Sequence, residues 1–366
     1  MSDPKRIRLM AIAGARPNFM KIAPLLAELR RRPRFEVFLV HSGQHYDELM
    51  SDGFFRDLGI PQPDVNLAVG SGTHAEMTAE VLRRMEPLLL ERRPDALIVV
   101  GDVNSTLAAA LAAVKVDVPV AHVEAGLRST DRGMPEEINR ILTDAMAQWL
   151  FVTEPSGSDN LAREGVDPDK VHFTGNVMID TLHAHLTKAR ARDTLSRLGL
   201  SAGGYVALTL HRPSNVDDPE HLARLFAVFE EIHRELPVVF PVHPRTRAVI
   251  TSRLAGRAPA IQTVDPLGYL DFLRLMADAR FVLTDSGGVQ EETTALGVPC
   301  LTLRDNTERP VTVTEGTNRI VGRDPQRIRD AAKELLAGPP PEGRIPALWD
   351  GGAAARIIDV LERDLG

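Results

Sequence analysis

Short runs in which every position is apolar alternate along this chain with longer stretches whose apolar positions recur every three or four residues. In the first half the all-apolar runs are "IRLMAIAG" (Ile7–Gly14), "FEVFLVHSG" (Phe35–Gly43), "DALIVVGD" (Asp95–Asp102), "VPVAHVEAG" (Val118–Gly126), "WLFVTE" (Trp149–Glu154) and "VHFTGN" (Val171–Asn176). Between them lie "KIAPLLAELRRR", "AEMTAEVLRRMEPLLLERR" and "STLAAALAAVK", which carry helical spacing. A half-exposed strand alternates apolar with polar. These strands do not, so they predict a parallel sheet covered by helices on both faces.

The pattern then restarts. A polar helix is predicted from Met178 to Leu198, followed by strands at "YVALTLH", "VVFPVHP", "AIQTVDPL", "RFVLTDSG" and "VPCLTLRD", with helices "PEHLARLFAVFEEIHREL" and "LDFLRLMADA" among them. The fold class expected is α/β, with two doubly wound Rossmann-like domains facing a cleft. The boundaries read as residues 1–176 and 177–352. "GPPPEGR" (Gly338–Arg344) is a linker or loop, and a last amphipathic helix in residues 353–366 is free to pack back on the first domain. There is no internal sequence repeat.

Composition narrows the function classes. The chain has 366 residues, 43% hydrophobic and 25% charged, enough for two cores. A net charge of −7 without a basic run argues against nucleic acid as a partner, so an anionic ligand needs a local group of arginines. The single cysteine, Cys300, excludes a disulfide framework and a multi-cysteine zinc site and fits a reducing cytoplasm, where it reads as a small buried apolar residue. No apolar run reaches membrane-spanning length and the N-terminus does not read as a signal peptide, so no membrane partner is expected.

In doubly wound sheets ligands bind beyond the carboxyl ends of the strands. The polar residues standing there are therefore the candidates. "GARPNFMK" turns out of the first strand and offers Arg16 and Lys21 for phosphate, with no dinucleotide glycine fingerprint; Arg16 reads equally as a solvated surface residue. Asp102 is either a helix N-cap or a site carboxylate. Glu124, directly after a buried strand, needs a partner. Glu136 and Glu137 follow Pro135 and suit a first helical turn, with Arg140 placed to pair with Glu136. His211, Arg212 and His243 each follow an apolar run, and either histidine alone could be structural. "HSGQH" puts His41 and His45 four apart without a carboxylate partner, so no metal is expected. In "TDSGGVQEETTALG" a Ser286-Gly287-Gly288 turn opens a helix whose first amides suit an anion. The carboxylates at 291 and 292 make sense there if they bind neutral hydroxyls beside it, as on a sugar attached to phosphate.

"GARPNFMKIAP", "GDVNST", "HVEAGLRS", "PEEINR", "GNVMIDTL", "LTLHRPSNVDDP", "PVHPRT", "TDSGGVQEE" and "LRDNTERP" occur in this order along nearly the whole chain. In that order they resemble the non-hydrolysing UDP-N-acetylglucosamine 2-epimerases. The resemblance implies a glycosyltransferase-B type fold, a cytoplasmic homodimer, no cofactor, and interconversion of UDP-GlcNAc and UDP-ManNAc to supply cell-surface polysaccharide precursors. It implies that Asp102, Glu124 and Glu136 are acid/base carboxylates and that His211 is a catalytic histidine. It further implies that Arg16, Lys21, Arg140, Arg212, His243, Ser286, Gly287, Gly288 and Arg309 contact substrate or UDP, that Glu292 holds the ribose hydroxyls, and that Tyr269 and Phe272 lie near uracil. Two departures stand out. "LRSTDRGMPEE" is shorter than the loop of several bacterial members, and "HRPSN" replaces the common "HRREN", which leaves open whether the sugar is GlcNAc or a further modified 2-acetamido sugar.

The chemistry can be argued without the family. C2 of a hexosamine is not next to a carbonyl, so its proton is not acidic. Oxidation at a neighbouring carbon needs bound nicotinamide, for which there is no fingerprint, and a ring-opened sugar needs prior loss of UDP. Breaking C1–O first, with loss of the C2 proton to a carboxylate, gives a 1,2-unsaturated sugar to which UDP re-adds. This route needs a cationic cradle for departing UDP and several carboxylates around C1–C2. The rivals are a glycosyltransferase, a hydrolysing epimerase and a non-catalytic nucleotide-sugar sensor.

Overall fold

The structure is a computed structural model that describes residues 6–14, 16–43, 55–242, 244–254, 256 and 259–366, without the side chains of residues 16, 244 and 245. It divides into two compact units, the first formed by residues up to Ala184 together with Ala347–Gly366 and the second by His185–Pro346.

The first unit holds a seven-stranded parallel sheet in the order β3-β2-β1-β4-β5-β6-β7. Its strands are β1 Ile7–Ala13, β2 Phe35–His41, β3 Val65–Asn66, β4 Ala96–Val100, β5 Val120–Ala125, β6 Trp149–Val152 and β7 Val171–Phe173. Each position of β4 and β5 is buried, which is why their sequences lack alternation. The helix Asn104–Lys115 buries Ala108, Ala109, Ala110, Ala112 and Ala113, and such small side chains let it lie close to its neighbours. The helix His74–Arg92 begins with a capping box in which Thr73 and Glu76 each serve the other's backbone amide.

The second unit holds a six-stranded sheet in the order β10-β9-β8-β11-β12-β13. Its strands are β8 Val206–Thr209, β9 Val238–Pro241, β10 Gln262–Val264, β11 Phe281–Thr284, β12 Cys300–Thr302 and β13 Asn318–Ile320. All recorded pairings are parallel in both sheets. Phe226, Phe229 and Phe240 pack into its core beside the helix Pro219–Glu235. Each unit is therefore doubly wound, with its strand order turning outward from β1 or β8 in both directions, as in glycosyltransferase-B folds. Cys300 is buried in β12, and burial pushes its thiol up to about 12.

Three features differ from the pattern reading. The polar helix expected to Leu198 ends at Arg190, and a short helix Thr194–Arg197 follows. Arg274 donates to the Arg190 carbonyl at 2.8 Å, and Arg197 pairs with Asp271 at 2.9 Å, so both segments are tied to the helix Tyr269–Ala277. The very short β3 and β13 carry no apolar run that would announce them. The unit boundary also falls inside the helix Val177–Arg190 rather than before it, because Val177, Met178, Ile179 and Leu182 are buried in the first unit's surroundings and Thr181 donates to the Met20 carbonyl at 2.5 Å.

The helix Ala353–Leu365 completes the first unit. Ile357, Ile358 and Leu361 are buried, Arg32 pairs with Asp359 at 2.6 Å and Glu362 at 2.9 Å, and Trp149 Nε1 donates to Asp364 at 2.8 Å. Asp180 accepts the amides of Ala353 at 3.1 Å and Ala354 at 2.7 Å, holding the helix by its N-terminus. Asp180→Ala removes that cap. The expected loss is about 1–2 kcal/mol, read as a melting point lower by about 2–6 °C; an unchanged melting point would show that the helix is held by its apolar face alone.

Candidate active site

The residues singled out from the sequence stand in two sets, one per unit, each at the carboxyl ends of parallel strands. In the first unit β4 and β5 are neighbours, with Val100 opposite Val123, so Asp102 and Glu124 leave the same edge of the sheet side by side. Glu124 is 4% exposed and pairs with Lys21, itself 6% exposed, which reaches it from the helix Arg16–Arg30. Glu124 has φ +75°, a left-handed conformation that costs a non-glycine residue about 1–3 kcal/mol and that marks a register shift between Val123 and Ala125. Gly101 has φ +65°, and a Cβ there would lie 2.7 Å from Lys21 Nζ, so only glycine lets the chain pass behind this ion pair.

Asp102 accepts from Arg140 Nη1 at 2.5 Å. The same guanidinium pairs with Glu137 at 2.7 Å, so the arginine expected opposite Glu136 bridges Asp102 and Glu137. Glu137 also accepts the Ser129 amide at 2.9 Å, the Ser129 hydroxyl at 3.0 Å and the Thr130 amide at 3.0 Å. Burial would raise its carboxyl, but these donors and Arg140 outweigh it and hold the group below the usual range. Glu136 is half-buried on the first turn of the helix Pro135–Met146. The side chain of Arg16 lies outside the described residues. His41 stacks on Phe19 at 5.4 Å and accepts the Gly43 amide at 3.1 Å, while His45 lies outside the described residues.

In the second unit the organising group is Asp285. Wholly buried, it accepts from His211 Nδ1 at 2.8 Å, the Arg212 amide at 2.9 Å and Asn215 Nδ2 at 3.1 Å. Burial alone would raise this carboxyl, yet His211, the Arg212 amide and Asn215 hold it below the usual aspartate range. The His211 side chain is 59% exposed, so it is fixed at one nitrogen and open to a ligand at the other. His243 lies outside the described residues.

Ser286 caps the helix Gly287–Leu296 without a side-chain bond to its first turn, and no acidic residue stands in that turn. The amides of Gly287 and Gly288 therefore keep the electropositive end that suits an anion. A Cβ at Gly287 would lie 2.4 Å from Arg309 Nη1, so the helix start presses against that guanidinium. Arg309 pairs with Glu291 at 2.8 Å and Glu308 at 2.5 Å, and Arg304 pairs with Glu308 at 2.7 Å. Glu292, 3% exposed, accepts from the Tyr269 hydroxyl at 3.1 Å. Tyr269, 2% exposed, is thus a partner of Glu292 within the core, and burial with that carboxylate raises its hydroxyl well above the ordinary range. Phe272, three residues on, is half-buried.

The UDP-N-acetylglucosamine 2-epimerase family model matches residues 27–362. The chain belongs to this family. The Methanocaldococcus jannaschii UDP-N-acetylglucosamine 2-epimerase is 41% identical over 97% of this chain and 99% of its own. A solved structure of the enzyme from that organism, in complex with UDP-GlcNAc and UDP, superposes with a TM-score of 0.90 at 39% identity, covering 98% of this chain and all of the other. A Pseudomonas aeruginosa relative, UDP-2,3-diacetamido-2,3-dideoxy-D-glucuronate 2-epimerase, is 42% identical over 98% of this chain and 100% of its own. Membership makes the chain an isomerase of nucleotide sugars and accounts for two Rossmann-like units in one polypeptide.

Sequence reasoning gave Glu137 only a place in a first helical turn and assigned no role to Asp285, His122 or Asp144. Asp285 stood in plain view in the Thr284–Gly288 turn, where a strand-end carboxylate next to a glycine pair was the available signal. His122 and Asp144 draw their importance from partners distant in sequence, and Glu137 from the nearby Ser129–Thr130 loop and Arg140. Because the Asp285 carboxyl is held low, its contribution to stability is present above the ordinary aspartate pKa of about 3.9 and is lost as pH falls through its folded value. Asp285→Asn is therefore expected to be less stable than the parent at neutral pH, with the gap closing as pH falls from about 5 towards 3. Urea unfolding across that range checks it; a gap that widens on acidification would reverse the assignment.

Proposed function

We propose that the protein interconverts UDP-GlcNAc and UDP-ManNAc by eliminating UDP across C1–C2 and adding it back. The observation that carries this reading is Glu124, a buried carboxylate held in a strained backbone against Lys21, beside Asp102 on the adjoining strand end. Backbone strain of this kind persists only where surrounding contacts over-determine it, and it concentrates where a group must be aimed.

In this reading UDP binds the second unit. The open helix start at Gly287–Gly288, Ser286 and Arg309 receive the phosphates, and Arg309 is kept extended by Glu291 and Glu308. Glu292, oriented by Tyr269, accepts from the ribose hydroxyls, and Phe272 rather than Tyr269 is the aromatic left to face the base. His211, aimed by Asp285, attends the departing phosphate oxygen, with Arg212 and His243 nearby in sequence. In the first unit Arg16, Lys21 and Arg140 set the charge around the sugar. Departure of UDP makes C1 electron-poor, and the C2 proton passes to one of Asp102, Glu124 and Glu136. Glu137 is committed to Ser129, Thr130 and Arg140, which supports Glu136 as the reactive member of that pair. A proton delivered to the other face of C2, followed by return of UDP, gives the epimer with no net change in redox state. We place the activity in the cytoplasm, in a homodimer that feeds cell-surface polysaccharide assembly. No described helix is long and apolar enough to cross a membrane.

A second reading is favoured by the 42% identity to the P. aeruginosa enzyme and by "HRPSN" at the His211 turn. Here the sugar is UDP-2,3-diacetamido-2,3-dideoxy-D-glucuronate, and the C2 chemistry is the same. Incubation of each nucleotide sugar in D₂O, without acceptor, nicotinamide or metal, decides between them. The substrate turned over faster should gain deuterium at C2 alongside its epimer, with UDP largely attached. Epimer without deuterium would sink the elimination route. UDP released in step with free sugar would mean a hydrolysing enzyme.

Two mutational outcomes are expected. Asp102→Asn, Glu124→Gln and Glu136→Gln should each lower kcat by about a hundredfold or more while UDP affinity holds. A matching loss of UDP binding would make them part of the cradle instead. Ser286→Ala and Arg309→Ala should weaken UDP, and Glu292→Gln should weaken UDP more than dUDP, because a charge-assisted bond worth about 1.5–3 kcal/mol is lost. Calorimetric titration showing equal effects on the two nucleotides would remove Glu292 from the ribose.

A further inference from the structure

Asp102 and Glu124 leave neighbouring strands, and a buried imidazole joins the segments that carry them. His122, in β5 and wholly buried, places Nδ1 2.6 Å from Asp144 Oδ1 and Nε2 2.9 Å from the Gly101 carbonyl. A carbonyl oxygen only accepts, so Nε2 carries a hydrogen and donates it. Asp144, on the helix Pro135–Met146, turns its other oxygen to the Gly126 amide at 3.0 Å and to Arg128 at 2.7 Å. Arg128 continues to Glu164 at 2.8 and 2.7 Å.

One imidazole in β5, two residues before Glu124, therefore fastens that strand to the turn after β4, which carries Asp102, and through Asp144 to the turn at Gly126. Both turns need fastening. Gly101, Glu124 and Gly126 have φ of +65°, +75° and +78°, and the β5–β6 register slips between them at Val123/Ala125. A backbone so far from its preferred wells keeps its shape only while its neighbours hold it. Burial would raise the Asp144 carboxyl, but His122 and Arg128 overcome this and keep it below the usual range, as a group acting as acceptor requires. A histidine placed only to fill the core would have no need of a polar partner at each nitrogen, one on the turn after β4 and one on the helix Pro135–Met146.

We propose that His122, backed by Asp144 and Arg128, is a positioning clamp that fixes the Asp102 and Glu124 carboxylates relative to each other for the proton transfers at substrate C2. The inference rests on the epimerase reading of those two carboxylates. His122 touches no reacting atom and acts through them.

The test uses the full chain with UDP-GlcNAc, or with the diacetamido-glucuronate sugar if that proves the better substrate. His122→Phe, which keeps the ring volume and removes both bonds, should lower kcat by about a hundredfold while KM and UDP affinity stay within about twofold. His122→Gln, whose amide can still donate towards Gly101, should recover a large part of that loss. Adding His122→Phe to Glu124→Gln should cost less than about threefold further, because two changes acting through one carboxylate do not multiply. Undiminished kcat in a folded His122 variant, parallel losses of kcat and UDP affinity, or fully multiplying losses in the double variant would each overturn the clamp. If His122→Phe does not fold, the Gln variant and Asp144→Asn carry the same comparison, and wild-type kcat in both overturns it. If Glu124→Gln alone leaves kcat intact, the carboxylate assignment itself fails, and this is seen before any His122 variant is made.

Discussion

Burying a carboxylate costs several kcal/mol unless another group answers its charge, and the candidate residues of each unit are organised around that demand. Glu124 is answered by Lys21, Asp102 and Glu137 by Arg140, Asp144 by His122 and Arg128, Asp285 by His211 and backbone amides, and Glu291 and Glu308 by Arg309. These pairs bring little net stability, because what attraction returns is largely spent on desolvation. What they give is direction: each charged head has few places to go. The parallel sheets supply the other half of the arrangement, since their strands all end on one edge and deliver these residues there in a row.

Much of this could be read from the sequence, for a physical reason. A strand buried on both faces must be apolar throughout, so β1, β2, β4, β5, β8, β9 and β11 announced themselves, and with them the strand ends where Asp102, Glu124, His211 and Ser286 stand. The glycine pair at 287–288 marked the start of a helix. The left-handed C-cap of that helix, Gly297 with φ +69°, was equally visible as the residue that ends its pattern.

What stayed hidden depends on contacts that no local pattern encodes. Glu136 and Glu137 look interchangeable, yet one turns inward to the Ser129–Thr130 loop and the other remains at the surface of the helix. The resemblance implied Tyr269 near uracil, but no local pattern announced the bond its hydroxyl makes to Glu292 in the core. His122 sat inside a strand with nothing to distinguish it from a filler. Its significance comes from Gly101 and Asp144, twenty-one and twenty-two residues away in opposite directions. The break after Arg190 likewise follows from Arg274, eighty-four residues further on.

The return of the chain at Ala347 gives the two units different histories on the ribosome. Everything in the second unit lies between His185 and Pro346, so it is in hand before the final helix is made. The first unit leads the way out of the exit tunnel but waits for Ala353–Leu365 to cover Arg32 and Trp149 and to meet Asp180. The earlier-born unit is thus the later one to receive its full set of elements: the sheet bearing Asp102 and Glu124 has its seven strands by Phe173, yet one of its covering helices is made only after the whole second unit.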